Sequence, residues 1–157
     1  MKVLIFADSH GYNMAMAFAV DREEPEAVIH LGDHAEDARE IERVFPAMPI
    51  YRVRGNNDFD PDVPLNAVVT PGGVRIYITH GHRERVGMLS SGIVPQRAYE
   101  EHCALAFFRA YAPHDARAGE RRVGMQSGHI SLPRGGPGQL CSADCRERTG
   151  CAARAGR

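Results

Sequence analysis

At 157 residues the chain is long enough for one domain around a single core. Its 43% hydrophobic and 25% charged residues are the balance of a water-soluble globular protein rather than a fibrous, disordered or membrane one. The net charge of −1 conceals an asymmetry, since residues 1–101 carry 10 basic against 16 acidic side chains and residues 102–157 carry 9 against 4. No apolar run reaches the roughly 18 residues of a membrane span, and the short run after Lys2 stops at Asp8, so neither a spanning helix nor a signal peptide is expected and the cytoplasm is the expected compartment. Four cysteines, Cys103, Cys141, Cys145 and Cys151, fall in the last third with a spacing that matches no zinc motif, and a cytosolic setting argues against disulfides.

Val3 to Phe6 is an unbroken apolar run suited to a central strand buried on both faces, and it stops in Asp8, Ser9, His10 and Gly11. Asn13 reads as the N-cap of a helix over Met14 to Val20, closed before Pro25. Ala27 to Leu31 reads as a second strand ending in Gly32 and Asp33, and Glu36 to Val44 as an amphipathic helix. Ile50 to Val53 reads as a third strand, running into Gly55, Asn56, Asn57 and Asp58. Leu65 to Thr70 and Val74 to Thr79, separated by Pro71, Gly72 and Gly73, read as a hairpin whose second strand ends in His80, Gly81 and His82. A helix is expected over Arg83 to Leu89 or Pro95 to His102, then a buried strand over Ala104 to Phe108.

Strands that alternate with helices predict an α/β fold with parallel strands, whose carboxyl ends share one edge where ligands bind. Asp8, His10, Asp33, Asn56 and His80 each stand just past a strand and would meet there. Carboxylate, imidazole and amide oxygen together suit borderline to hard divalent ions, and a carboxylate between two ions can bridge them. Taken singly, each has an ordinary role: Asp33 as a helix cap, Asn56 in a left-handed turn, His80 as a half-buried histidine. Taken together, they point to a metal centre.

The D-x-H of Asp8 and His10, the G-D-H of Gly32 to His34, the G-N-N-D of Gly55 to Asp58 and the T-H-G-H of Thr79 to His82 resemble the successive signatures of the calcineurin-like metallophosphoesterases. The short, insert-free chain resembles their small bacterial and archaeal phosphodiesterase branch, over residues 1–108. The resemblance implies a four-layer αββα sandwich with a binuclear centre at the sheet edge, from which the C-terminal third of this chain departs as atypical. It implies that Asp8 and His10 hold one metal, Asp33 bridges, and Asn56 and His80 hold the other. The ions implied are two divalent cations, Mn2+ first, with Ni2+, Fe2+ or Zn2+ as alternatives. The implied activity is hydrolysis of a phosphoester, a phosphodiester in particular, by a hydroxide bridging the two metals. Asn56 would also touch the phosphate, and Asp58 would orient a ligand such as His10 from behind. His82 and Arg83 lie near the same edge and either meet substrate charge or face solvent.

The chain departs from the family pattern twice. Asn57 stands where many members have a histidine that protonates the leaving group, so no general acid is assigned and leaving groups of low pKa are expected. The last signature, G-H-x-H after a buried strand, is missing, and the chain reads Arg109, Ala110, Tyr111, Ala112, Pro113, His114, Asp115. Codons for that run can be written whose next frame encodes Gly-His-Thr-His-Arg-Met. We therefore expect residues 109 to about 128 to be out of frame and residues 109–129 and 137–157 of this single 157-residue domain to be irregular, the frame returning near Ile130 to Gly136. His114 and His129 are read as loop histidines rather than replacement ligands. Made as written, the chain is expected to be poorly stable and nearly inactive. The alternative function is a catalytically impaired binding scaffold, since a retromer subunit resembles the same branch and serves as an interaction module. The expected partner is a small phosphoester or nucleotide; no membrane or nucleic-acid partner is favoured, because the basic tail lacks interleaved aromatics, and no oligomeric state is assigned.

Overall fold

The structure, a computed structural model, describes residues 1–86 and 92–109 and the backbone of 153–154. Three parallel strands, β1 (Lys2–Phe6), β2 (Ala27–His30) and β3 (Ile50–Arg52), are joined by helices α1 (Asn13–Glu23) and α2 (Ala35–Val44). β4 (Asn66–Val69) and β5 (Ile76–Thr79) form the expected hairpin around a 3-10 turn at Pro71–Gly73. Helix α3 (Ile93–Glu100) then leads to β6 (Leu105–Phe108), parallel to β5, and a short strand β7 (Ala153–Arg154) lies antiparallel to β1. The sheet orders are β3-β2-β1-β7 and β4-β5-β6.

The period-two alternation of strand side chains assigns the layers. Val3, Ala27 and Ile29 from the first sheet meet Val69, Ile76, Ile78 and Phe107 from the second in an interior between the sheets. Leu4, Phe6 and Val28, on the other face of the first sheet, pack under Met16 and Val20 of α1 and Ile41 of α2. Tyr77, Ala106 and Phe108, on the outer face of the second, pack under Val94 and Ala98 of α3. The result is the αββα sandwich.

Two sequence expectations shift. Asn13 opens α1 instead of capping it; Tyr12 holds the cap position and, among the described residues, no side chain caps the helix. Of the two spans offered for the third helix, the structure selects the later one, at Ile93–Glu100. Apart from Arg109 and the β7 backbone, the expectations for residues 109–129 and 137–157 lie outside the described residues. Among the described residues, no helix is long and apolar enough to cross a membrane.

Candidate metal centre

The carboxyl ends of β1, β2, β3, β5 and β6 open on one edge, and close backbone contacts draw the loops there together. Gly32, at φ +99°, lies so near the next loop that a Cβ would stand 2.3 Å from Gly55 N. A Cβ on Gly55 would stand 2.0 Å from Asp33 Oδ1. Both distances are far inside van der Waals contact, so the glycines of the G-D and G-N pairs let the loops touch, Gly32 against the Gly55 backbone and Gly55 against Asp33. Asp58 locks the arrangement: its Oδ2 accepts from the amides of Asp33 at 2.8 Å and Gly55 at 2.7 Å, and its Oδ1 from the amide of Ala35 at 2.8 Å. Asp8, His10, Asp33 and His34 all have positive φ, between 46° and 69°, in a region that non-glycine residues rarely occupy. Such backbone strain gathers at functional sites.

Within this frame Asp8, Asp33 and His80 each present a ligand atom within 4.8 Å of the others. His80 is 2% exposed, and its Nδ1 lies 2.8 Å from the Leu31 carbonyl oxygen. A carbonyl only accepts, so Nδ1 carries a proton and the ring turns Nε2 into the site. That Nε2 faces Asn56 Oδ1 at 3.2 Å and Asp33 Oδ1 at 3.6 Å. Lone pairs from a nitrogen and two oxygens thus converge, an arrangement that calls for a second proton on the ring or a metal cation between them. Among the described residues Asp8 Oδ1 is buried with no hydrogen-bond partner, so one more acceptor is available. The donor set therefore fits a divalent ion.

Charges are tuned by burial and neighbours. Burial pushes the Asp33 carboxyl up, but the Asn57 amide, His80 and the Asn57 side chain outweigh it and hold the group below its ordinary value. Asn57 N donates to Oδ1 at 3.0 Å and Nδ2 to Oδ2 at 2.7 Å. Burial raises the Asp8 carboxyl by more than the adjoining Arg109 guanidinium lowers it. Arg109 Nε donates to Asp8 Oδ2 in an ion pair.

The structure brings together Asp8, Asp33, Asn56 and His80. It places His10 on the surface with its ring 4.8 Å from that of His34, outside the three-residue group. Asp58 does not orient His10 as expected; its hydrogen bonds go to the backbone around Asp33. The His82 ring centroid stands 5.3 Å from that of His80, its Nδ1 is buried with no partner among the described residues, and burial followed by the His80 charge lowers its pKa. Arg83 is exposed. Sequence reasoning missed the bonds from Asn57 to Asp33 and the reach of Arg109; the G-N-N-D motif was the available signal for the first, and nothing local signalled the second.

A buried polar chain supports the Asp8–Gly11 loop from below. Asp37 Oδ2 can only accept, so Ser9 Oγ–H donates to it at 2.6 Å and in turn accepts from His30 Nε2–H at 3.0 Å. His30 Nδ1 accepts from the Gly32 amide at 3.2 Å, consistent with that tautomer, and Gly11 N also donates to Asp37 Oδ2 at 2.7 Å. Burial pushes the His30 pKa down to about 4, so the ring is neutral at pH 7.

The calcineurin-like phosphoesterase superfamily domain matches residues 1–121. The probable metallophosphoesterase YsnB of Bacillus subtilis (strain 168) is 39% identical over 85 residues, 52% of this chain and 47% of YsnB, so the chain spans about half the length of that curated relative. A conserved uncharacterised protein of Streptococcus pneumoniae TIGR4, described as a predicted phosphoesterase, superposes with a TM-score of 0.56 at 26% identity, over 68% of this chain and 60% of that one. A single mutant of Vps29 from Entamoeba histolytica shares the fold, with a TM-score of 0.54 at 15% identity over 69% of this chain and 63% of its own. With a domain match over most of its length and two sheets between helices carrying that family's strand-end residues, the chain belongs to the calcineurin-like phosphoesterase superfamily.

Proposed function

We propose that the chain is built for metal-dependent hydrolysis of a phosphoester, in particular a phosphodiester. The convergence of Asp8, Asp33 and His80, with ligand atoms within 4.8 Å, supports it. Two divalent ions, when bound, supply activated water at neutral pH and polarise the phosphoryl group. Asp8 is the proposed ligand of one ion, joined by His10 once its ring turns from His34 toward the site, Asp33 of both, and Asn56 and His80 of the second; Mn2+ is the first candidate and Ni2+, Fe2+ and Zn2+ the alternatives. Asp33 stays anionic through its bonds from Asn57, His80 keeps Nε2 turned inward through Leu31, and Asn56 offers its amide to the phosphate. Asn57 is engaged with Asp33 and protonates no leaving group, so leaving groups that depart as stable anions are preferred.

The test is hydrolysis of bis(4-nitrophenyl) phosphate by metal-stripped protein with and without Mn2+. Turnover that requires Mn2+ and falls to background in Asp33→Ala is expected; turnover that ignores both would sink the proposal. A second reading, a binding scaffold of the same fold, is favoured by one observation: the Arg109 guanidinium already sits on Asp8. Metal-dependent turnover at the level of a complete relative would eliminate it.

A further inference from the structure

We infer, on the metal-centre reading above, that Arg109 is a built-in cation that competes with a divalent ion for Asp8. β6 runs parallel to β5, so its carboxyl end opens on the edge that holds His80, and Arg109 is the next residue. Its Nε donates to Asp8 Oδ2, and the two side chains are only 21% and 14% exposed. Asp8 and Asp33 are carboxylates close enough to offer atoms to one ion, and two such groups repel unless a proton or a positive charge lies beside them. The Arg109 guanidinium supplies that charge in the pair with Asp8. The guanidinium on Oδ2 repels a divalent ion that approaches the open Oδ1 of the same carboxylate, so the ion takes Asp8 once the pair opens. The ion then binds only the fraction of molecules whose pair is open, and its apparent affinity falls by that fraction. With the pair closed about nine-tenths of the time, the loss is about tenfold.

The metal-stripped full chain and Arg109→Gln are compared by the electron paramagnetic resonance signal of free Mn2+ and by thermal unfolding. Arg109→Gln is expected to unfold at a lower temperature without metal, yet to bind Mn2+ about tenfold or more tightly and to gain a larger rise in unfolding temperature on saturation. A merely supporting arginine would lower metal-free stability without tightening Mn2+ binding, so unchanged or weaker binding overturns the inference. If neither protein binds Mn2+, the metal-centre reading falls with it, whereas equal binding leaves that reading standing. A second measurement needs no variant: the Arg109 Nε–H resonance of the unmodified protein, protected in the ion pair, should lose its protection on saturation with Zn2+. Persistence of that signal in the Zn2+-loaded protein overturns the inference independently.

Discussion

Asp58 shows how one carboxylate can hold a site that it does not enter. It accepts three backbone N–H groups, from Asp33, Ala35 and Gly55, and so joins the loop after β2 to the loop after β3. Hydrogen bonds to a charged group contribute about 1.5–3 kcal/mol each when buried, and these are half-buried, so Asp58→Ala should cost about 3 kcal/mol in total. Urea unfolding measures this, and a change within about 0.5 kcal/mol would show that the clamp carries no load. Asp58 was visible in the sequence as the last letter of G-N-N-D, but its partners were not, because backbone amides leave no mark on composition or spacing. Asp8, Asp33, Asn56 and His80 were legible for the opposite reason: each is a polar residue that abruptly ends an apolar run. His10 follows the same rule, yet at φ 46° its ring lies against His34, and local conformation of that kind is set by tertiary contacts.

At the scale of elements, strands and helices followed from periodicity, and the errors fell at their ends. Asn13 carries a good capping side chain, but Tyr12 N–H donates to Ser9 O at 2.9 Å, and that turn starts the helix without it. Ser9 is in turn fixed by a chain that reaches β2 and α2, and its middle link is titratable. With an ordinary pKa of 6.5 and a folded value of about 4, His30 binds its proton in the unfolded chain before it does in the folded one. The unfolded state thus holds more protons between these values, and stability falls as pH drops from about 6.5 toward 4, by about 3 kcal/mol across the window. Unfolding followed at pH 7 and pH 4.5 should show the loss in the native chain and a much flatter profile in His30→Gln. Parallel profiles would mean that another group governs the acid limb.

For the whole molecule, the αββα layering follows from alternation alone: Leu4 and Phe6 face the helices, while Val3 faces the second sheet. What no periodicity could reveal is that the end of β6 delivers a guanidinium to the loop after β1, a pairing of residues 101 positions apart. The displaced-frame expectation for residues 109 to about 128 can be tested by restoring the other frame, so that Gly-His-Thr-His follows β6. Mn2+-dependent turnover should rise at least about 100-fold, because loss even of groups that only support metal ligands typically costs 10–100-fold. Equal turnover before and after would dismiss that expectation.

His80 leaves the end of β5 to bond the carbonyl of Leu31 beyond β2, and Arg109 leaves β6 to bond Asp8 beyond β1. Both ties cross from one sheet to the other, so they fasten the site edge of the sandwich beside its apolar interior. An ion shared by Asp8, Asp33 and His80 would take over the tie that Arg109 gives up. Because the two ties made by the chain itself need no ion, the halves stay joined in a chelating buffer.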